Sequence, residues 1–464
     1  MTQWIVDHPR CNLFAGMGVG KSPATLEAIC QLVLMGEVQR VLVVAPKRVA
    51  QSTWPGEIRN FSTFGHLSVA VAVGSEAERR AAVESNAQVV TINYDVLEWL
   101  IEHYGETWPF DMIVLDEATR VRSLRVALLR GKKSGKEFLR GQGGKRAKAL
   151  ARVALSSKVK RIVNLSGTPA PNGVQDLWAL QFMLDKGQRL GSSFTAFSNR
   201  WFRPAPGSGG ASGYSRIEPL PYAADQIRAA IQDITLVVEA KDHFDLPPLI
   251  ENIIRVELPP SARKQYKEME RDLFTWLNEH PLEAFNAGTK SQKLLQLASG
   301  GAYVNDKGDW ETVHDAKLDA LQSVMEEAAG TPVLVAYHFK SDLARILKAF
   351  PKARQLDSNP KTIDQWNRGE IPMLVAHPQS AGHGLSLQHG GNIMCFFSSN
   401  WSLEADMQFI ERLGPTRQAQ SGYNRPVFLH RIVAEKTIEE VVIARLKSKA
   451  SVQDALMEAM KNSR

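Results

Sequence analysis

Short runs of β-branched and apolar residues recur through the first part of the chain, each closing on a polar or glycine-rich turn. They are RVLVVAP (40–46), AQVVTINY (87–94), FDMIVLDEAT (110–119) and KRIVNLSGTP (160–169). Between them, PATLEAICQLVLMG and AERRAAVESN carry apolar positions three or four apart. Strand-length apolar runs alternating with helical periodicity predict α/β architecture, a parallel sheet with helices on both faces. From about 177 to 231 the pattern becomes loop- and aromatic-rich, with SSFTAFSNRWFRPAPGSGGASGYS at its centre. The aromatics there are expected to form local core, and PGSGGASG a turn.

A second alternating series runs through TPVLVAYH (331–338), IPMLVAHP (371–378), GGNIMCFFSS (390–399) and NRPVFLHRIVA (424–434). LPPSARKQYKEMERDLFTWLNEH and HDAKLDALQSVMEEAAG precede it with helical spacing, and TIEEVVIARLKSKASVQDALMEAMK closes the chain as a long helix. The expected organisation is two α/β lobes joined near 235–255. Residues 1–240 form the first, with an insertion after about 176. Residues 241–464 form the second, with a helical insertion at 257–328 before a terminal α/β part at 329–464.

Composition narrows the class. A chain of 464 residues with 44% hydrophobic and 23% charged residues can bury large cores in more than one domain. No apolar run approaches the ~18 residues of a membrane span, and MTQWIVDHPRCNLF lacks the form of a signal peptide. Cys11, Cys30 and Cys395 are far apart and form no C-x-x-C pair, which points to a reducing cytoplasm rather than to disulfides or zinc. His377 and His383 have no partners at metal-ligand spacing. Charge is concentrated. Between Ala118 and Lys160 fourteen basic residues face only Glu137, a balance of +13 within a net +7, so the remainder is −6. Such clustering suits a polyanion partner, or equally a solvated basic loop.

The strongest chemical signal is AGMGVGKSPATLEAI (15–29), a glycine-rich turn between the apolar run CNLF and a helical pattern. Glycines let backbone N–H groups turn inward around phosphate oxygens, and a helix N-terminus adds positive potential. Gly16, Gly18, Val19, Gly20, Lys21 and Ser22 are the candidate nucleotide-binding residues, with Lys21 reaching the β/γ-phosphates and Ser22 holding Mg²⁺. In DMIVLDEAT an apolar strand ends in paired carboxylates, where open α/β sheets present ligands. Asp116 fits as the carboxylate partner of Mg²⁺, and Glu117 as the group that orients or deprotonates the attacking water.

AGMGVGKS, DEAT and LSGTP (165–169), in that order, resemble motifs I, II and III of superfamily 2 helicases. RVLVVAPKRVAQSTWPGEI resembles motif Ia, TINYDVL motif Ib, VLVAYHFKSDLARIL motif IV, SAGHGLSLQHG (380–390) motif V, and QFIERLGPTRQAQ (408–420) motif VI. The resemblance extends over nearly the whole chain. It is strongest to the Swi/Snf-type DNA translocases, particularly their compact bacteriophage and bacterial members, and is supported by LPPSARKQY, AKLDAL and AEKTIEEVV. It implies two RecA-like lobes with ATP between them and nucleic acid across the top. It further implies coupling through Ser166 and Thr168. By the same resemblance, DNA-backbone contacts are expected at Arg48, Thr91, Asn93, Ser380 and His383, with Lys132 and Lys133 added from the basic segment.

Two departures stand out. Family members carry an upstream glutamine that recognises adenine. Here fourteen residues precede the phosphate loop, and Gln3 lies eighteen residues before Lys21, so either adenine recognition is reduced or the chain starts late. In motif VI, Gln408 and Arg412 match, but LGPT sets Arg417 two residues further on than the family pattern. Glycine and proline permit a turn that absorbs the difference. Arg417 is the expected arginine finger, with Arg412 a second phosphate contact or a lobe-to-lobe pair.

The expected function is an ATP- and Mg²⁺-dependent ATPase that moves on double-stranded DNA, acting as a monomer in the cytoplasm, the host's if phage-encoded. The alternatives are a strand-separating DNA or RNA helicase, for which the aromatic 194–202 stretch is the one wedge candidate, and a nucleic-acid-binding scaffold with an inactive ATPase.

Overall fold

The computed structural model describes the chain except residues 17, 132–136, 206–216, 280–283, 306–307, 358, 382–384 and 462–464; side chains are described outside 272–290, 380–384, 452–453, 455–456 and 458–464. Two compact units divide the chain. One takes in Met1–Ser208, Arg216–Asp242 and Ser451–Arg464, and the other is built on His243–Ala450.

The first unit contains β1 (Arg10–Ala15), β2 (Val41–Ala45), β3 (Val69–Ala72), β4 (Val89–Asn93), β5 (Met112–Asp116), β6 (Arg125–Arg130), β7 (Glu137–Gln142), β8 (Arg161–Ser166), β9 (Phe202–Pro204), β10 (Ile217–Pro219) and β11 (Thr235–Val238). Seven of these make one sheet in the order β11-β1-β8-β5-β2-β4-β3, with every described pairing parallel. β2, β4, β5 and β8 are buried along their whole length, as strands covered on both faces must be. Alternate residues feed two cores. Val41 and Val43 pack with Leu26 and Ile29 of the helix Lys21–Leu34, whereas Leu42 and Val44 face the aromatic core around Trp178 and Phe182. Phe197, Trp201 and Phe202 are buried in that second core. The aromatic stretch is thus core, as its composition suggested, and its buried rings cannot form an exposed wedge.

The basic segment differs from a plain loop. β6 and β7 pair antiparallel from Arg125↔Gln142 to Arg130↔Glu137. Arg125 anchors the base of this hairpin, its guanidinium 3.9 Å from the Phe194 ring centroid and bonded to the Arg122 and Leu124 carbonyls.

The second unit contains β12 (Leu249–Val256), β13 (Gly301–Tyr303), β14 (Trp310–Thr312), β15 (Val333–Ala336), β16 (Arg354–Gln355), β17 (Met373–Ala376), β18 (Ile393–Phe396) and β19 (Val427–Ala434). Six form a parallel sheet in the order β12-β19-β18-β15-β17-β16. The α/β class with two RecA-like parallel sheets is therefore observed. The AKLDAL and TIEEVV segments turn out to be structural. Lys317, fully buried, donates to the carbonyls of Phe397 and Ile432 (both 3.0 Å) and to Glu439 Oε1 (2.6 Å). A lysine so enclosed persists only because every donor is matched.

Candidate active site

β1, β8 and β5 are neighbours in a parallel sheet, so the segments that follow them leave the same edge. After β1 comes the phosphate loop, in which Gly18 (φ 80°) and Gly20 (φ 85°) occupy the left-handed region that side chains disfavour. The Gly16 N–H is held by the Val238 carbonyl at 2.9 Å, and Val19 packs against the core beneath. Gly20 caps the helix Lys21–Leu34, whose first turn carries Ser22. Lys21 Nζ donates to the carbonyls of Ala15 (2.8 Å) and Gly16 (2.9 Å), which holds the ammonium over the loop.

After β5, Asp116 is buried and its Oδ2 accepts the indole N–H of Trp54 at 2.9 Å. Burial pushes its carboxyl above the ordinary range, opposed by the Trp54 hydrogen bond and the charges of Lys21 and Arg120. Glu117 follows in the left-handed conformation (φ 58°, ψ 53°), unusual for a side-chain-bearing residue and a recurring feature of functional sites. The peptide is fixed by the Tyr94 hydroxyl, which donates to the Asp116 (2.9 Å) and Glu117 (3.3 Å) carbonyls. After β8, Ser166 Oγ accepts the Thr168 N–H (3.1 Å), and Thr168 Oγ1 is buried without a hydrogen-bond partner among the described residues.

These groups suit a magnesium nucleotide. A carboxylate and a hydroxyl are hard oxygen donors, and Mg²⁺ bound with phosphates needs only one or two protein ligands. Among the described residues no three His, Cys, Asp or Glu side chains cluster as an all-protein metal cage. Asp116 and Ser22 would hold the ion.

In the second unit, Gln408 lies buried on the helix Leu403–Ile410, and Arg412 is buried just beyond it. Arg412 donates to the carbonyls of Gln408 (3.1 Å) and Leu385 (3.2 Å). LGPT is a helix restart. Gly414 caps the helix Pro415–Gln420, Pro415 occupies its first turn, and Arg417 sits within it, half-buried. Gln418 is fully buried, bonded to the Gln388, Gly391 and Leu413 carbonyls and to Arg425 Nε.

The residues expected near nucleic acid have mixed surroundings. Arg48 is half-exposed, ahead of a π-helical turn, Val49–Thr53. Thr91 is fully buried and donates to the Ala50 carbonyl (2.7 Å), so it shapes that turn rather than facing solvent. Asn93 is buried beside Asp95, which pairs with Arg146. Lys132, Lys133 and His383 lie outside the described residues, as does the side chain of Ser380. Gln3 is exposed on the helix Thr2–Asp7 and bonds Asp7 at 2.8 Å. Sequence reasoning missed Trp54 and Tyr94. Each is an aromatic with a polar tip in an otherwise buried-type stretch, which demands a hydrogen-bond partner without naming it.

A family model described as the SNF2-related domain matches residues 4–133. The chain belongs to that family, within the superfamily 2 DNA translocases and helicases. Protein p41 of Acyrthosiphon pisum secondary endosymbiont phage 1 is 50% identical, over 98% of this chain and 96% of its own. The chromatin structure-remodeling complex subunit snf21 of Schizosaccharomyces pombe is 21% identical over 99% of this chain, and human chromodomain-helicase-DNA-binding protein 7 is 22% identical over 97%. The matched stretch spans 39% and 15% of those two proteins. The Sulfolobus solfataricus SWI2/SNF2 ATPase core in complex with dsDNA aligns over 99% of this chain and 92% of its own, at 20% identity and a TM-score of 0.42. No helix among the described residues is long and apolar enough to cross a membrane.

Proposed function

We propose that this protein is a DNA-stimulated ATPase that moves along double-stranded DNA by tracking its backbone. The observation that carries the reading is the convergence of Lys21, Asp116, Glu117 and Ser166–Thr168 beyond three adjacent parallel strands, in a chain of this family. Bound Mg²⁺ would supply charge neutralisation at the phosphates. The chain's own residues do the remainder. Backbone N–H groups of Gly18 to Lys21 cradle phosphate oxygens, and the Lys21 ammonium moves from its carbonyls to the β/γ-phosphates. Glu117, set at its angle by Tyr94, orients water for in-line attack and accepts its proton. Arg417 is proposed to supply the guanidinium that meets charge developing on the transferred phosphoryl group, and Gln408 and Arg412 to shape its surroundings. Arg48, Asn93, Lys132, Lys133, Ser380 and His383 are proposed to meet the phosphate backbone, with Thr91 acting indirectly.

ATP hydrolysis measured with duplex DNA, single-stranded DNA and RNA tests this. Duplex DNA should stimulate most, with triplex displacement accompanying it; strongest stimulation by RNA overturns the reading. One observation favours strand separation as a second reading. Leu129 (36% exposed) and Phe138 (49%) face each other across the basic hairpin and offer an apolar edge to a base pair. Unwinding of a forked duplex that is lost in a Leu129→Ser/Phe138→Ser variant, with hydrolysis retained, would support it.

A further inference from the structure

The turn between β2 and the helix Trp54–Asn60 has two faces. Lys47, Gln51 and Ser52 are exposed and Arg48 half-exposed, whereas Trp54 is fully buried among Leu13, Val43 and Val114. Its backbone is wound one residue wide. The Trp54 N–H bonds the Val49 carbonyl, an i→i+5 step, and the Ala50 carbonyl it would meet in an α-helix accepts Thr91 Oγ1 instead. Pro55 follows and brings no N–H to the turn. Such π-turns inside helices concentrate at functional sites.

Trp54 has one polar atom, a donor, and its acceptor is Asp116 Oδ2, 62 residues away in sequence. If Trp54 shifts, either the carboxylate follows or a buried donor and a buried carboxylate lose each other, a costly state in a dry site. This hydrogen bond ties the turn that ends at Trp54 to the carboxylate proposed to hold magnesium. We propose that Trp54 is a positioning residue that transmits occupancy of the Lys47–Ser52 turn by a phosphate backbone to the Asp116 carboxylate, so that duplex DNA and a magnesium nucleotide bind with linked affinities. This rests on the translocase reading for the identity of the polyanion.

Linkage makes the idea measurable without turnover. The fluorescent nucleotide mant-ADP is titrated with Mg²⁺, in the presence and absence of a saturating short duplex, on the full chain and on Trp54→Phe. In the unmodified protein the duplex should change magnesium–nucleotide affinity by on the order of tenfold, and magnesium–nucleotide should change duplex affinity by the same factor. In Trp54→Phe the factor should fall to within about twofold of unity, while duplex affinity without nucleotide, read by anisotropy, stays put. A merely structural tryptophan would weaken both ligands or neither and leave the ratio intact. Because Phe leaves space in the core, Thr91→Val is the second variant. It keeps the indole, frees only the Ala50 carbonyl, and should reduce the ratio. An unmodified ratio in Trp54→Phe, or in Thr91→Val should the first fail to fold, overturns the inference alone. If duplex DNA alters neither hydrolysis nor nucleotide affinity in the unmodified protein, the translocase reading falls and this inference with it.

Discussion

Arg412 and Arg417 lie five positions apart and do different physical work. Arg412 is buried, and its guanidinium is matched to backbone carbonyls of Leu385 and Gln408. Removing it leaves those acceptors unpaired, so Arg412→Ala should cost about 2–3 kcal/mol and lower the melting temperature. Arg417 is half-buried, and its Nε has no hydrogen-bond partner among the described residues. Arg417→Ala should leave melting unchanged and retain mant-ATP binding. If it is the finger, turnover falls by roughly 10³-fold or more. Equal effects of the two substitutions on melting would reject this division. Asp116 makes the complementary case. Its folded-state proton affinity is raised, so the ionised form costs stability as pH rises above the unfolded value. Asp116→Asn should therefore melt no lower than the native protein at pH 7.5, and magnesium-dependent hydrolysis should drop by roughly 100-fold or more. A lower melting temperature would mean that Asn leaves Trp54 unsatisfied.

At the scale of elements, the hairpin β6–β7 turns a run of positive charge into a shaped one. Arg130 and Arg140 are exposed on it. If they meet phosphates, Arg130→Gln/Arg140→Gln should reduce the slope of log affinity against log salt by up to about 2, since each contact contributes ~0.9. An unchanged slope would make the hairpin's charge a bystander. Why this element was hidden is instructive. RVALLR and EFLRGQ alternate only weakly, and the glycines and lysines between them dominate any local reading. By contrast VLVVA, MIVLD and RIVNLS announced themselves, because strands buried on both faces must be apolar throughout. The same holds at the site. Lys21, Asp116 and Glu117 sit at fixed offsets from such strands and were legible. Trp54 and Tyr94 reach them across 62 and 22 residues, through contacts that no local spacing encodes. Thr91 shows the reverse error, since its place in a recognised motif suggested a ligand contact where the fold uses it to fix a turn.

Over the whole molecule, acid stability should be limited by histidines of the second unit. Burial lowers His314 and His338 to about 4, and depresses His377 and His430 as well. For His314, burial is the largest cause. The charges of Arg345 and Lys317 add to it, and the Leu297 carbonyl and Asp315 oppose it. A histidine with a depressed folded value contributes stability at neutral pH that is lost as pH falls from the unfolded value, 6.5, toward the folded one, because the unfolded chain takes the proton first. For His314 alone the loss is about 2 kcal/mol by pH 5. Asp342 and Asp406, raised by burial, work in the opposite sense, since acidification relieves their cost. A single pH profile therefore mixes the two, and a chain of two units need not unfold in one step. Comparison with His314→Asn separates them. Calorimetric scans at pH 7.5 and pH 5 should show the native protein losing more stability than the variant, by about 2 kcal/mol in the transition that the substitution affects. Parallel losses would mean that His314 is already protonated in the folded state, and that the acid sensitivity of this unit originates in its carboxylates.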